Sequence, residues 1–177
     1  MRQFNSLFFD LSLDVFNRHA DKVVMANIAQ TINVLQAMIL TDEEKMLVTP
    51  TGHVYAMYAQ HQGGTSLRTA FEAENISVGN ASLFGLAGSA SLKDNKLFIT
   101  VVNPHADSAV EASISLYDGS AKFAFATVLA NSDIHAHNTF DAPNVVEPVE
   151  VSLSASGSVI NHTFPPASVT AISVELG

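Results

Sequence analysis

Three places in this sequence carry residue types whose spacing could do chemistry. The first is His135-Ala136-His137. In a strand, residues two apart face the same side, so these imidazoles could share a metal ion. A third ligand would have to come from elsewhere, and the chain has no cysteine to supply it. Hydrogen-bonded structural histidines are the better reading, and no metal or other cofactor is expected. Asn138, Thr139, Phe140, Asp141 and Pro143 follow, and this polar stretch predicts an ordered loop held by its own side chains. The second place is the sparse set of carboxylates. Glu43 and Glu44 fall in one turn and Glu72 and Glu74 in another, while Glu111, Glu147 and Glu150 lie in or beside β segments, on faces expected to meet solvent. None of them stands at a strand end as an acid and nucleophile pair would. No G-x-S-x-G, phosphate-binding loop or dinucleotide fingerprint occurs.

The third place is Val23–Ile39, an apolar run interrupted by Asn27, Gln30 and Asn33. A buried amide without partners costs about 1–3 kcal/mol, so each of these needs something to face. Lys22–Asn27 is short, apolar and rich in β-branched residues, which predicts a strand over 22–27 buried on both faces. Ile28, Ile32, Leu35 and Ile39, spaced by four, three and four, predict a helix after it. Asn27 and Gln30 then fall where a parallel strand ends and a helix begins, the functional face of an α/β barrel. Amides both donate and accept, which suits sugar hydroxyls. Capping the helix and satisfying loop backbone would use them equally well.

The flanking elements have two textures. Phe4, Leu7, Phe8, Leu11, Val15 and Phe16 predict a helix over 4–16. Helix, strand and helix form one piece of an α/β fold, and no obvious parallel neighbours follow, which suggests a fragment. From Lys45 the texture changes. Thr49-Pro50 marks the N-cap and first residue of a short helix ending at Gly63-Gly64. Beyond residue 80 the period is two: Val110, Ala112, Ile114 and Leu116; Phe123 and Phe125; Val149, Val151 and Leu153; Ile172, Val174 and Leu176. Asn103-Pro104, Asp118-Gly119, Ser156-Gly157 and Pro165-Pro166 punctuate these runs. The reading is mainly β, an antiparallel β-sandwich preceded by an α-β-α piece. The expected units are 1–44 and 45–177, with the short helix near 50–62.

Composition sets outer limits. The 177 residues are 47% apolar, enough for a core, and only 14% charged against about 25% in typical soluble chains. The net charge of −9 shows no basic cluster, so no nucleic-acid partner is expected. No apolar run reaches the length of a membrane span, no signal peptide is evident, and the absence of cysteine fits a reducing compartment; a cytoplasmic location without membrane contact is expected. The sequons at Asn75, Asn80 and Asn161 read as chance matches in a Ser/Thr-rich chain.

Several runs carry a likeness to a known family. Asn17-Arg18-His19-Ala20-Asp21-Lys22-Val23, Met25-Ala26-Asn27-Ile28-Ala29-Gln30 and Asn33-Val34-Leu35-Gln36 resemble the end of the catalytic barrel of family 51 α-L-arabinofuranosidases. Thr49-Pro50-Thr51, His53-Val54, Met57-Tyr58 and His61-Gln62-Gly63 resemble the segment leaving that barrel. Val101-Val102-Asn103-Pro104-His105, His135 to Pro143 and Pro165-Pro166-Ala167-Ser168-Val169 resemble the family's C-terminal β-domain. The likeness spans essentially the whole chain in order. It implies a (β/α)8 barrel followed by a jelly-roll β-sandwich, residues 1–44 being a remnant of the barrel's last unit. It implies retaining removal of terminal α-L-arabinofuranosyl groups from arabinan, arabinoxylan and small arabinosides. Both catalytic glutamates lie before the segment matched, so the resemblance implies no catalytic residue in this chain and a supporting role. It places the family's substrate-contacting glutamine on Gln30, with Asn27 ordering the same turn and Asn33 making structural hydrogen bonds. Gly52 stands where the family commonly has an aromatic residue. The competing reading is a carbohydrate-binding β-sandwich module, which the absence of Trp and the presence of only three Tyr disfavour. A helix over 4–16 and strand over 22–27 without their barrel would expose apolar faces, so self-association through residues 1–42 is expected.

Overall fold

Thr49 and Pro50 begin a helix as their chemistry requires. In the computed structural model, Thr49 is the N-cap of a helix over Pro50–Tyr58, its Oγ1 accepting from the Gly52 N–H at 3.2 Å. The structure describes residues 3–28 and 30–177, and the side chains of all these except 3–9, Val78, Ala81 and Ser156. In chain order the elements are α1 (Gln3–Arg18), β1 (Ile39–Asp42), β2 (Lys45–Val48), α2 (Pro50–Tyr58) running into a 3-10 turn (Ala59–His61), β3 (Thr65–Leu67), β4 (Ile76–Val78), β5 (Ala81–Leu83), β6 (Ala87–Lys93) and β7 (Lys96–Asn103). There follow β8 (Val110–Ser115), β9 (Ala121–Leu129), β10 (Val149–Ser152), β11 (Ser154–Ser156), β12 (Val159–Phe164) and β13 (Ser168–Leu176).

A six-stranded sheet in the order β10-β9-β13-β7-β6-β3 dominates, and a three-stranded sheet β11-β12-β8 faces it. The named strands of both pair antiparallel. The β6–β7 hairpin turns on Asp94 and Asn95, both at positive φ (49° and 61°), the backbone twist that two-residue hairpins favour. The large sheet is buried on both faces. Ile99, Val101, Ala126, Ile172 and Val174 point toward Ile160 and Phe164 of the small sheet and form the sandwich interior. Val102, Leu129, Val169 and Ala171 point the other way and are covered by Leu13 of α1 and by Val54, Met57 and Tyr58 of α2.

Two expectations for the first forty residues fail. Residues 23–28 take no regular secondary structure and join no sheet, and where a helix was expected over 28–39 the described residues make bends, turns and one parallel bridge, Ile32 to Ile39, leading into β1. A strand buried on both faces exists only between neighbours, and none of the described strands lies beside 22–27. Without them Val24 is 96% exposed and Met25 73%. The helix is excluded by backbone geometry: Gln30, Asn33 and Gln36 have φ of 48°, 55° and 65°, the left-handed region. The helix expected over 4–16 does form; of its side chains from residue 10 onward, Asp10, Leu13 and Asp14 are buried and Val15 and Phe16 are exposed.

Gly52 has a local reason. A Cβ there would lie 2.4 Å from the Met38 carbonyl oxygen and 2.8 Å from Val48 Cγ1, so the Ala37–Met38 backbone packs on α2 only because residue 52 lacks a side chain. Thr49 joins the same contact, donating from Oγ1 to the Ala37 carbonyl at 2.7 Å and from its N–H to Met38 at 3.0 Å. Thr49→Ala removes a cap and strands a buried carbonyl, and should destabilise the chain by about 1–3 kcal/mol. Thr49→Ser, which keeps the hydroxyl, should recover most of it; urea unfolding of the two variants measures both.

Candidate functional site

The three amides part company in the structure. Asn27 and Gln30 are exposed, on a stretch without regular secondary structure. Asn33 is fully engaged: its Nδ2 donates to Thr41 Oγ1 at 2.9 Å, and its Oδ1 accepts from the Thr41 N–H at 2.8 Å. Asn33 therefore pins the bend to β1, as structural hydrogen bonding predicts.

His135 and His137 sit in a turn, both exposed. The His135 N–H donates to Asp133 Oδ1 at 2.8 Å, and His137 Nδ1 lies 3.1 Å from the His135 carbonyl. Among the described residues no three His, Cys, Asp or Glu side chains gather as a metal site would need. The expected ordered loop is present, and Asn138 is its knot. This buried side chain donates to the carbonyls of Val48 (2.9 Å) and Val146 (3.0 Å) and accepts from the Val146 N–H (2.8 Å). Asn103, 0% exposed, does the same for two other loops. It donates to Ser108, Phe164 and Pro165 carbonyls at 2.8–3.0 Å and accepts from the His105 N–H at 3.1 Å.

The carboxylates named from sequence, Glu43, Glu44, Glu72, Glu74, Glu111, Glu147 and Glu150, are all exposed. The buried ones are Asp10 and Asp14, each 0% exposed on the sheet-facing side of α1. Asp14 Oδ1 accepts from Ser89 Oγ (2.8 Å) and Thr100 Oγ1 (2.9 Å). Burial raises its carboxyl to about 6, against the lowering effect of hydrogen bonds from Ser89, Tyr58 and Thr100 and of the Arg18 charge. Neither oxygen of Asp10 has a partner among the described residues, and burial, then the nearby Asp14 charge, push its carboxyl well above the usual range. Burial lowers His61 to about 4, its Nδ1 2.7 Å from Ser91 Oγ. The sequence signal for these groups was the i, i+3, i+4 spacing of Asp10, Leu13 and Asp14, which the apolar residues on the opposite side of the helix obscured.

Two surface depressions remain. A hollow of about 460 Å³ at the end of α1 has Arg18 and Arg68 on its walls, but also the carboxylate of Asp21, which competes with any bound anion. A groove of about 730 Å³ beside β8 and β12 carries Glu111, Ser113, Asn161 and His162. It has no Trp, Tyr or Phe on its walls, so it lacks the stacking platform that sugar-binding modules use.

These features define a helix-capped, two-sheet antiparallel β-domain whose buried polar groups fasten loops and helices. Comparison with known proteins places it. The model of the alpha-L-arabinofuranosidase C-terminal domain matches residues 5–168. The intracellular exo-alpha-L-arabinofuranosidase of Bacteroides ovatus is 43% identical over 140 residues, 78% of this chain and 27% of that protein. The GH51 arabinofuranosidase of Xanthomonas axonopodis pv. citri superimposes with a TM-score of 0.93 at 32% identity, covering 98% of this chain and 36% of that one. The alpha-L-arabinofuranosidase of Thermotoga maritima, solved as an arabinose complex, superimposes at 0.88 with 29% identity over 99% and 39%. The chain belongs to the α-L-arabinofuranosidase C-terminal domain family. It spans about a quarter of the length of the curated relative and little more than a third of these solved ones. No helix among the described residues is long and apolar enough to cross a membrane.

The Asn138 knot yields a direct test. Asn138→Asp keeps the shape but puts a second acceptor where Val48 and Val146 need a donor. The expected cost is about 2–3 kcal/mol, read from urea unfolding at neutral pH.

Proposed function

We propose that this chain is the β-domain of an α-L-arabinofuranosidase, supporting a catalytic barrel and lending it Gln30 as a sugar-facing side chain with Asn27 ordering the same turn. One observation carries the reading: the superposition over 98% of the chain on an arabinofuranosidase of which it covers 36%. The segment over 23–28 is compatible with it: it joins none of the described sheets and leaves Val24 and Met25 in solvent, as apolar residues awaiting neighbours would be. The left-handed residues at 30, 33 and 36 add strain of about 1–3 kcal/mol each, the kind of backbone found at ligand-binding turns. In this reading residues 1–44 belong with the barrel and 45–177 form the supporting unit. The whole protein would release terminal α-L-arabinofuranosyl groups from arabinose-containing oligosaccharides or polysaccharides in the cytoplasm, the Bacteroides ovatus relative being named as intracellular. Nucleic acid and membrane have no part in it, and the acid/base and nucleophile come from the barrel.

The experiment is a graft. The chain alone should give no turnover of a chromogenic α-L-arabinofuranoside. Substituted for the matching region of the Xanthomonas enzyme, it should support turnover, and Gln30→Ala in that graft should lower kcat/KM by roughly 10–100-fold, the worth of one or two sugar hydrogen bonds. Turnover by the chain alone at the graft's rate, or a graft indifferent to Gln30→Ala, would overturn the reading.

The same surface bears on association. Val24, Met25, Ile32, Leu35 and Met46 are each at least half exposed, and apolar patches of this kind drive assembly. We infer that the chain on its own self-associates through residues 1–42. Light scattering should give a mass above 18.8 kDa that falls on replacing Val24, Met25 and Leu35 with serine; a monomer at micromolar concentration contradicts this.

A further inference from the structure

The interface between α1 and the large sheet is polar where an apolar seam would be ordinary. Asp10 and Asp14 lie one helical turn apart, both 0% exposed, so their carboxyls are neighbours on one helix face. Among the described residues, three of their four oxygens have no hydrogen-bond partner. Two adjacent, desolvated carboxylates cannot both stay ionised. Among the described residues no cation is seated between them: the Arg18 guanidinium is exposed and reaches the Gly88 carbonyl at 3.4 Å.

We propose that Asp10 and Asp14 form a proton-operated latch, in which a proton retained by the pair seats α1 on the β6–β7 face and its loss at higher pH lifts the helix off. The surroundings fit this role. From α1, Arg18 is the only other charged group acting on Asp14, and from α2 the Tyr58 phenol faces the pair, its hydroxyl 3.3 Å from the Asp10 carbonyl. From β6 and β7 come only the Ser89 and Thr100 hydroxyls. The apolar residues of β7 and β13 on this face are Val102, Val169 and Ala171, and β3 has no titratable residue. His61 of the 3-10 turn is the remaining titratable neighbour, its ring 5.7 Å from that of Tyr58.

The sign of the effect follows from proton linkage. A carboxyl raised on folding holds a proton that the opened helix releases. Its stabilisation is complete below the ordinary value of 3.8 and is lost as pH rises through the folded value, about 6 for Asp14. His61 works the opposite way: its neutral ring stabilises above 6.5 and ceases to do so as pH falls through about 4. Between pH 4 and 6 the two oppose each other, so His61 must be removed from the reading.

The test uses the full chain, isotope-labelled, in wild-type and His61→Gln backgrounds. Carboxyl-carbon NMR follows Asp10 and Asp14 from pH 4 to 8, and amide exchange of α1, corrected for the intrinsic rate, follows opening. Asp10 should keep its proton well above the pH at which a free aspartate loses it. In the His61→Gln background the α1 opening constant should rise by up to about tenfold per pH unit between 4 and 6 for each proton released. Asp10→Asn, which needs no proton, should flatten that slope and leave α1 better protected at pH 8. An Asp10 carboxyl already ionised at pH 5 in the folded chain, or an undiminished slope in Asp10→Asn, overturns the proposal. The titration is read on the unaltered chain, so it decides even if the variant does not fold.

Discussion

A sheet with apolar side chains on both faces needs two covers. That constraint governs this molecule. β13 shows it most plainly, with seven consecutive residues from Ser168 to Val174 buried. Ile172 and Val174 belong to the sandwich interior, and Val169 and Ala171 to the side under the helices. Burying a Val or Ile side chain is worth about 1.5–3 kcal/mol, so leaving either face open would forfeit several such contributions. The small sheet is one cover. The other is α2 with α1, and this is why a β-domain keeps two helices at its start.

The second cover is held by groups that can both donate and accept. Thr49 ties α2 to the Ala37–Met38 backbone, and Asn138 ties the end of β2 to the loop before β10. Asn103 gathers the loop after β7 and the turn before β13. Each buried carbonyl or amide in these loops would otherwise lack a partner at about 1–3 kcal/mol. These residues sit in the runs that resemble family 51: Thr49-Pro50, Asn103-Pro104-His105, His135 to Pro143, and Pro165-Pro166. In the C-terminal runs, what looks like functional chemistry in the sequence is loop fastening in the structure. His135-Ala136-His137 is the clearest case, since its spacing suggests metal ligation while its structural weight falls on the next residue, Asn138.

Legibility in the sequence followed locality. The N-cap Thr49, the helix α1 and the turn at Glu43-Glu44 depend on neighbours a few residues away, and their signals are plain; β8, β9 and β10 pair with distant strands but show in the sequence through their alternation. β13 is subtler, because a strand buried on both faces loses strict alternation. Residues 22–39 were misread because their pattern is written for partners that are not among the described strands: an apolar run says that a segment wants burial, but not which neighbour supplies it. The buried polar groups of α1 are hidden from the sequence for a related reason. Hydrophobic periodicity finds the greasiest stripe, yet the sheet below offers Ser89 and Thr100, and they select Asp14. Buried carboxylates cannot be recognised without knowing the hydroxyls opposite them.

Gly52 and the left-handed residues bear on one another. The bend over 30–38 reaches α2 only where residue 52 has no side chain, since any Cβ would meet the Met38 carbonyl oxygen at 2.4 Å. A residue with a side chain at that position would hold the bend away from α2. The glycine lets it settle, and Thr49 then hydrogen-bonds Ala37 and Met38 in the settled position. Settling requires positive φ at Gln30, Asn33 and Gln36, which is costly for residues with side chains. Asn33 offsets part of that cost through its two bonds to Thr41, whereas the amide side chain of Gln30 stays in solvent. A bend fastened at Asn33 and Thr49, with Gln30 exposed ahead of the first fastening, is firm at its base and open at its tip.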